Sequence, residues 1–307
     1  MSKLRHVIRA EQLVDPELLD ELFSSATQLE QKDKARRLEH PLAGRILATL
    51  FYEPSTRTRF SFEAAMQKLG GGVLTAENAL DNSSASKGET IADTMRIVSG
   101  YADAIVLRHP QVGAAEMAAE ASPVPVINAG DGAGEHPTQA LIDVYTIRKE
   151  LGRLEGLNIA LVGDLKNGRT IHSLLPFLRH APGVSLTLIS PPQLRLPGRY
   201  IRMLQDADTR FAETTRLARV QPADVVYVTR VQRERFASEA EYDAVKDSYR
   251  IDLHVADSLK TRSIILHALP RTTEISPEVD QDARAAYFRQ ARNGLYVRMA
   301  LLKYLMS

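Results

Sequence analysis

Residues 46–60 read ILATLFYEPSTRTRF. Ile46 to Phe51 is a short apolar run of buried-strand length. Turn chemistry follows at Glu53-Pro54-Ser55. A helical pattern then carries Phe62, Ala65, Met66 and Leu69 and stops at Gly70-Gly71-Gly72. An apolar strand that enters a helix through a polar turn is one unit of a parallel sheet covered on both faces.

The same alternation extends in both directions. Upstream, Pro16 to Leu29 places Leu18, Leu19, Leu22, Phe23, Ala26 and Leu29 at helical spacing. Downstream, Ala104–Leu107 and Val124–Asn128 read as strands. His136-Pro137 opens a helix with proline at its first position, where the missing N–H costs nothing, and Gly152 follows its end. Beyond Gly152 the pattern restarts with a strand at 158–162 and a helix bearing Ile171, Leu174, Leu175 and Leu178. Further strands follow at 184–189, 225–228 and 264–266. The Pro-rich stretch 190–198 reads as a surface loop. The last segment, 288–306, reads as a helix with Gly294 as a weak point inside it. The expectation is an α/β chain of two lobes, each a parallel sheet flanked by helices, with domains at 1–137 and 152–287. A bridging helix at 138–151 joins them, and the terminal helix 288–307 packs back on the first.

Composition narrows the function. The chain has 307 residues, enough for one large domain or two ordinary ones. Lys+Arg is 39 and Asp+Glu is 38, so a net charge of +1 supplies no bulk field toward nucleic acid or anionic lipid. Any anion must be met by a local cluster. Cysteine is absent, which excludes disulfides, thiol nucleophiles, Cys-ligated zinc and iron–sulfur clusters. The eight histidines form no metal-binding spacing, so no metal or cofactor is expected. No segment reaches the ~18 apolar residues of a membrane helix. Arg9, Glu11 and Asp15 interrupt any signal-type apolar core, so a cytoplasmic address is the expectation.

In an open parallel sheet, ligands sit beyond the carboxyl ends of the strands. The residues after each proposed strand are polar: Ser55-Thr56-Arg57-Thr58, Arg108-His109-Pro110, His136-Pro137-Thr138-Gln139, Asp164-Leu165-Lys166-Asn167-Gly168-Arg169, Thr229-Arg230-Val231-Gln232 and His267-Ala268-Leu269-Pro270-Arg271. Ser55 can cap a helix whose first-turn N–H groups have no intrahelical partner. Those donors, the positive helix end, the hydroxyls and Arg57 together suit a phosphate dianion. Taken alone, they could equally form an ordinary capped helix with exposed arginines.

The whole string decides between the two. Phe51-x-x-x-Ser55-Thr56-Arg57-Thr58-Arg59 resembles the carbamoyl-phosphate motif of the transcarbamoylases. His136-Pro137-Thr138-Gln139 is similar to their second shared motif. Ser83-x-x-x-Lys87-Gly88-Glu89-Thr90, the run from Val162 to Ser173 and Thr229-Arg230-Val231-Gln232 resemble the aspartate-accepting branch of the family. The likeness runs in order from about residue 45 to the terminal helix.

The resemblance implies transfer of a carbamoyl group from carbamoyl phosphate to the α-amine of L-aspartate, the committed step toward pyrimidines. Carbamoyl phosphate would sit on Ser55, Thr56, Arg57 and Thr58, with Arg108, His136 and Gln139 around its carbonyl and amide. The backbone at Leu269-Pro270, cis in the family, would bind the carbamoyl amide. Ser83 and Lys87 would reach into a neighbouring subunit's site in a homotrimer. Aspartate would be held by Arg169, Arg230 and Gln232, with help from Lys87. Thr58, Arg108 and His136 would donate to the developing oxyanion while Arg57 stabilises the leaving phosphate. Regulatory or other pyrimidine-pathway chains are further partners that the family admits.

One departure and several rivals remain. The family string near the C-terminal strand usually reads His-Pro-Leu-Pro-Arg, whereas here Ala268 replaces the first proline. Loop rigidity is what that puts in question. Glu53 and Arg235 lie beside the two key loops and make a plausible interlobe ion pair, while Arg59 and Arg271 suit structural pairing with acids. Gly163-x-x-x-x-Gly168-Arg169-Thr170 imitates a P-loop but has Arg where Lys is required. An ornithine-like acceptor would be repelled by Arg230. A silent scaffold paralogue would have no need of the intact polar set.

Overall fold

The computed structural model describes residues 4–79, 84–233 and 236–307, with the side chains of Ser84 and Ala85 left aside. The chain divides into two compact units, Met1–Ile142 with Arg292–Ser307, and Asp143–Ala291.

The first unit opens with α1 (Pro16–Lys34), whose N-cap Asp15 accepts the Leu18 N–H at 2.9 Å. It then alternates through β1 (Ile46–Phe51), α2 (Thr56–Lys68), β2 (Gly72–Glu77), α3 (Ile91–Val98), β3 (Ala104–His109), α4 (Ala114–Ala121) and β4 (Val126–Asp131). Helix α5 (Pro137–Leu151) begins in this unit and ends in the second. The sheet has the order β2-β1-β3-β4 with every pair parallel. Ala48, Leu50, Ile105, Leu107 and Val126 from the strands meet Met95, Ala115 and Ala118 from the helices in one core. Burial of both sheet faces is why β1 and β3 carry near-continuous apolar runs.

The second unit continues with β5 (Asn158–Val162), α6 (Arg169–His180), β6 (Ser185–Ile189), α7 (Gly198–Asp206), β7 (Arg210–Thr214) and β8 (Val225–Val228). Two short helices, α8 (Glu239–Asp243) and α9 (Leu253–Asp257), precede β9 (Ile264–His267). Its parallel sheet has the order β7-β6-β5-β8-β9. The register aligns Val162 with Val228 and Val228 with His267, so β5, β8 and β9 end side by side. Helix α10 (Tyr287–Met306) begins here and returns to the first unit. There Arg298 donates to Ser61 Oγ at 2.5 Å and Tyr296 donates to Asp33 at 3.1 Å.

Several elements differ from the expectations. Strand β2 starts directly at Gly72, where only a helix stop was anticipated, and β7 was not anticipated at all. Both are edge strands with largely exposed side chains, so neither needs an apolar run. Strand β4 begins at Val126 rather than 124 and continues to Asp131. The Pro-rich stretch is more than a surface loop: Leu194 and Leu196 are buried, and a 3-10 turn spans Pro192–Leu194. Gly294 does not interrupt α10; a Cβ there would meet Ile142 Cδ1 at 3.1 Å, so the missing side chain admits a close neighbour. No helix among the described residues is long and apolar enough to cross a membrane.

Gly163 carries the exit from β5. Its φ is +112°, and a Cβ would fall 2.3 Å from the Thr229 carbonyl oxygen at the end of β8. Both the backbone angle and the backbone-to-backbone approach exclude a side chain. Gly163→Ala is expected to destabilise the protein by about 3 kcal/mol, read as a lowered urea midpoint at unchanged slope.

Candidate active site

In the first unit the polar residues collect at the carboxyl edge of the sheet because the register puts them there. Phe51 and Arg108 are direct partners, as are His109 and Asp131. Helix α2 starts at this edge with Ser55 in the N-cap position, but its hydroxyl makes no capping hydrogen bond, unlike the simple cap expected. The first-turn N–H groups of Thr56, Arg57 and Thr58 lack intrahelical acceptors by helix geometry. No acid lies in that turn. Thr58 is buried, while Thr56 and Arg57 are exposed.

The arginines here divide by partner. Arg59 reaches Glu77 at 2.8 Å and Glu63 at 3.3 Å, as its structural reading requires. Arg108 is buried, bonded to Glu53 and donating to the Ala129 carbonyl at 3.1 Å. Glu53 is therefore engaged inside its own unit. Arg235, its anticipated partner, lies outside the described residues. Arg57 has no carboxylate partner among the described residues, and partial desolvation of its guanidinium lowers its pKa.

His136 is buried immediately before α5, and its carbonyl accepts the Gln139 N–H at 3.0 Å. The loop that delivers it is fixed by Asp131 and Glu135. Asp131 accepts the Glu135 N–H at 2.8 Å and the Asn128 side chain at 3.2 Å. Glu135 accepts the Ala10 N–H at 2.6 Å. Burial raises the Glu135 pKa, against the Ala10 hydrogen bond and with Asp131 adding to the rise. Lys87, itself exposed, ends a 3-10 turn, and Ser83 lies outside the described residues.

In the second unit a corresponding edge gathers Arg169, Arg230 and Gln232. Arg169 opens α6, and Gln232 donates to the Asn167 carbonyl at 3.3 Å, tying the β8 loop to the β5 loop. The Asp164–Gly168 loop is braced from below. Asp164 accepts the Asn167 N–H at 2.9 Å, and His172 Nε2 meets the Leu165 carbonyl at 2.9 Å while its ring stacks on Tyr200. Because a carbonyl only accepts, His172 carries its proton on Nε2.

After β9 the chain holds Leu269-Pro270 in the cis form, with Leu269 at φ +56°. The Leu269 N–H donates to His267 Nδ1 at 2.7 Å, and His267 Nε2 meets Glu274 Oε1 at 2.8 Å. Glu274 Oε2 accepts from the Thr272 N–H and hydroxyl at 3.1 and 2.9 Å. Burial opposes ionisation of Glu274. The hydrogen bond from His267 and those around Thr272 outweigh it and hold the carboxyl below its ordinary value. Arg271 is taken by Asp280 and Tyr287, as its structural reading requires. The engagement of Arg108 by Glu53 and the His267–Glu274 pair escaped sequence reading. His267, at i and i+2 from Leu269, has the right spacing, but only the turn geometry reveals the bond.

Two family models divide the chain. The model for the carbamoyl-phosphate-binding domain of aspartate/ornithine carbamoyltransferases matches residues 5–149, and that for their Asp/Orn-binding domain matches residues 155–305. The chain belongs to the aspartate/ornithine carbamoyltransferase family. The catalytic subunit of aspartate carbamoyltransferase from Methanothrix thermoacetophila is 50% identical over 308 residues, covering 100% of each chain. A chloroplastic aspartate carbamoyltransferase of Arabidopsis thaliana is 49% identical, covering 99% of this chain and 78% of the relative. A structure of the Trypanosoma cruzi aspartate transcarbamoylase with carbamoyl phosphate and aspartate superposes with a TM-score of 0.94. It is 40% identical, and 99% of this chain and 98% of that one are covered. This carbamoyltransferase shares their two-sheet α/β architecture.

The His172 site gives the carbamoyltransferase a pH signature. Burial lowers the His172 pKa from 6.5 to about 4, aided by nearby Arg199 and opposed by the Leu165 carbonyl. The unfolded chain thus binds the extra proton first. Stability from this site is complete above pH 6.5 and is lost as pH falls toward 4. The loss is on the order of 3 kcal/mol, at about 1.4 kcal/mol per pKa unit. His172→Gln is expected to be less stable at neutral pH, with the gap to the natural protein closing between pH 6.5 and 4 in urea titrations.

Proposed function

We propose that this chain is an aspartate carbamoyltransferase, moving the carbamoyl group of carbamoyl phosphate onto the α-amine of L-aspartate in pyrimidine biosynthesis. The observation that carries the site assignment is Arg57. It is a cation without a carboxylate partner among the described residues, at a helix start whose N-cap hydroxyl is not used internally. A helix N-terminus, hydroxyls and an unpaired guanidinium suit a phosphate dianion. Carbamoyl phosphate is therefore assigned to Ser55, Thr56, Arg57 and Thr58, with Arg108, His136 and Gln139 at its carbamoyl end. Ser83, Lys87 and the backbone at Leu269 and Pro270 complete that assignment. Aspartate is assigned to Arg169, Arg230 and Gln232, with Lys87.

The chemistry follows from these types of group. The amine attacks the carbamoyl carbon, forming the C–N bond, and the carbonyl oxygen takes up negative charge. Thr58, Arg108 and His136 donate to that oxygen. The C–O bond to phosphorus-bearing oxygen then breaks, and inorganic phosphate leaves with the amine proton, so His136 need not act as a base. Fixed Arg108 and His136 reduce the reorganisation that the transition state requires.

A homotrimer with shared sites is part of the proposal. In the first unit, Phe60 of α2, Leu74 on the edge strand β2 and Ile97 of α3 are large exposed apolar side chains. An unpaired edge and apolar side chains of this kind favour burial against another chain. We place the protein in the cytoplasm, in keeping with its lack of cysteine, while its chloroplastic Arabidopsis relative shows that compartment varies among relatives.

The decisive assay offers carbamoyl phosphate with L-aspartate and, separately, L-ornithine. Ureido product is expected with aspartate alone; product with ornithine alone would overturn the acceptor assignment. Arg57→Ala is expected to lower kcat about 10²–10³-fold while sedimentation still gives a trimer. Unchanged turnover in that variant would remove the phosphate assignment.

A further inference from the structure

The Leu269-Pro270 turn offers an unusual set of backbone groups, and it does so because of His267. Proline has no N–H. The Leu269 N–H is directed into the unit, onto His267 Nδ1 at 2.7 Å. What the backbone of Leu269 and Pro270 can present to a ligand is consequently carbonyl oxygen and nothing that donates. His267 can accept there only if its Nδ1 is unprotonated, and Glu274 Oε1, 2.8 Å from Nε2, selects that tautomer.

The pair is anchored on every side. His267 and Glu274 are both buried. The His267 N–H donates to Gln290 Oε1 at 2.9 Å, Gln290 donates to Asp143 at 2.6 Å, and Tyr227 donates to the same carboxylate at 2.8 Å. Glu274 meanwhile grips Thr272, so the pair holds both flanks of Pro270-Arg271. Leu269 sits at φ +56°, a conformation that a non-glycine residue keeps only when its surroundings enforce it. Ala268 leaves this turn without the first proline of the family string, so hydrogen bonding carries the restraint.

We propose that His267, oriented by Glu274, is a specificity-determining positioning residue: by sequestering the Leu269 N–H it makes the turn an acceptor-only edge that selects an NH₂-bearing acyl phosphate over its methyl analogue. The inference rests on the assignment of the carbamoyl amide to Leu269-Pro270. An amide NH₂ supplies donors to carbonyl oxygens; the methyl of acetyl phosphate supplies none. Discrimination between the two phosphates is then a property of this turn, whereas affinity for the phosphate itself belongs elsewhere.

Three proteins test it: the natural chain, His267→Phe, and His267→Asn, whose Oδ1 can accept in place of Nδ1. Each is assayed for the KM of carbamoyl phosphate at saturating aspartate and for the inhibition constant of acetyl phosphate. His267→Phe is expected to raise the carbamoyl-phosphate KM at least about tenfold while the acetyl-phosphate constant stays within about twofold. His267→Asn is expected to recover most of the loss. Parallel weakening of both ligands would mean general damage to the turn and overturn the inference, as would unchanged constants in His267→Phe or a failure of His267→Asn to recover. A natural protein that carbamoylates no aspartate would instead overturn the functional reading beneath it.

Discussion

Parallel strand pairing is the constraint on which the rest depends. When all strands of a sheet run the same way, their carboxyl ends share one edge, and each following helix begins there with unpaired N–H groups. Residues far apart in sequence become neighbours without any loop having to reach. Phe51 and Arg108 are partners across β1 and β3; Val162, Val228 and His267 are aligned across β5, β8 and β9. Each unit therefore brings the polar residues that follow its strands to one rim, while the central strands stay largely apolar and buried.

On that rim, charge is sorted by whether it is already spent on the protein. Arg59 and Arg271 each hold carboxylates of their own neighbourhood, Glu77 and Asp280. Such pairs fix loops. Arg57 is the contrast, with desolvation acting on it and no acid answering among the described residues. A chain of net charge +1 can thus present a local anion site, because the first turn of that helix carries no acid and the nearby Glu53 is taken by Arg108.

Much of this was legible in the sequence, for physical reasons. Buried strands such as β1, β5 and β8 announce themselves because both faces demand apolar side chains, and their bounds agree with the pattern. Edge strands β2 and β7 escape it, since one neighbour and an exposed face relax that demand. Several of the family motifs fall at or just after strand ends, as at Ser55–Thr58, Arg108 and Thr229–Gln232. What composition and spacing could not carry were the orientations of groups: that the Ser55 hydroxyl makes no cap, that Glu53 turns to Arg108, and that Leu269 points its N–H at His267. Each is decided by side-chain rotamers and local turn geometry, which no residue type encodes on its own.

The unused hydroxyl of Ser55 has one more consequence. A helix normally completes its own beginning, and α2 does not. On the reading proposed here, the anion that enters supplies the missing acceptors and acts as a removable cap. Occupancy then becomes linked to folding, because a ligand bound only by the native state deepens that state in proportion to the logarithm of its concentration. The melting temperature of the enzyme would thereby rise and fall with the local supply of carbamoyl phosphate, making thermal endurance itself a gauge of substrate.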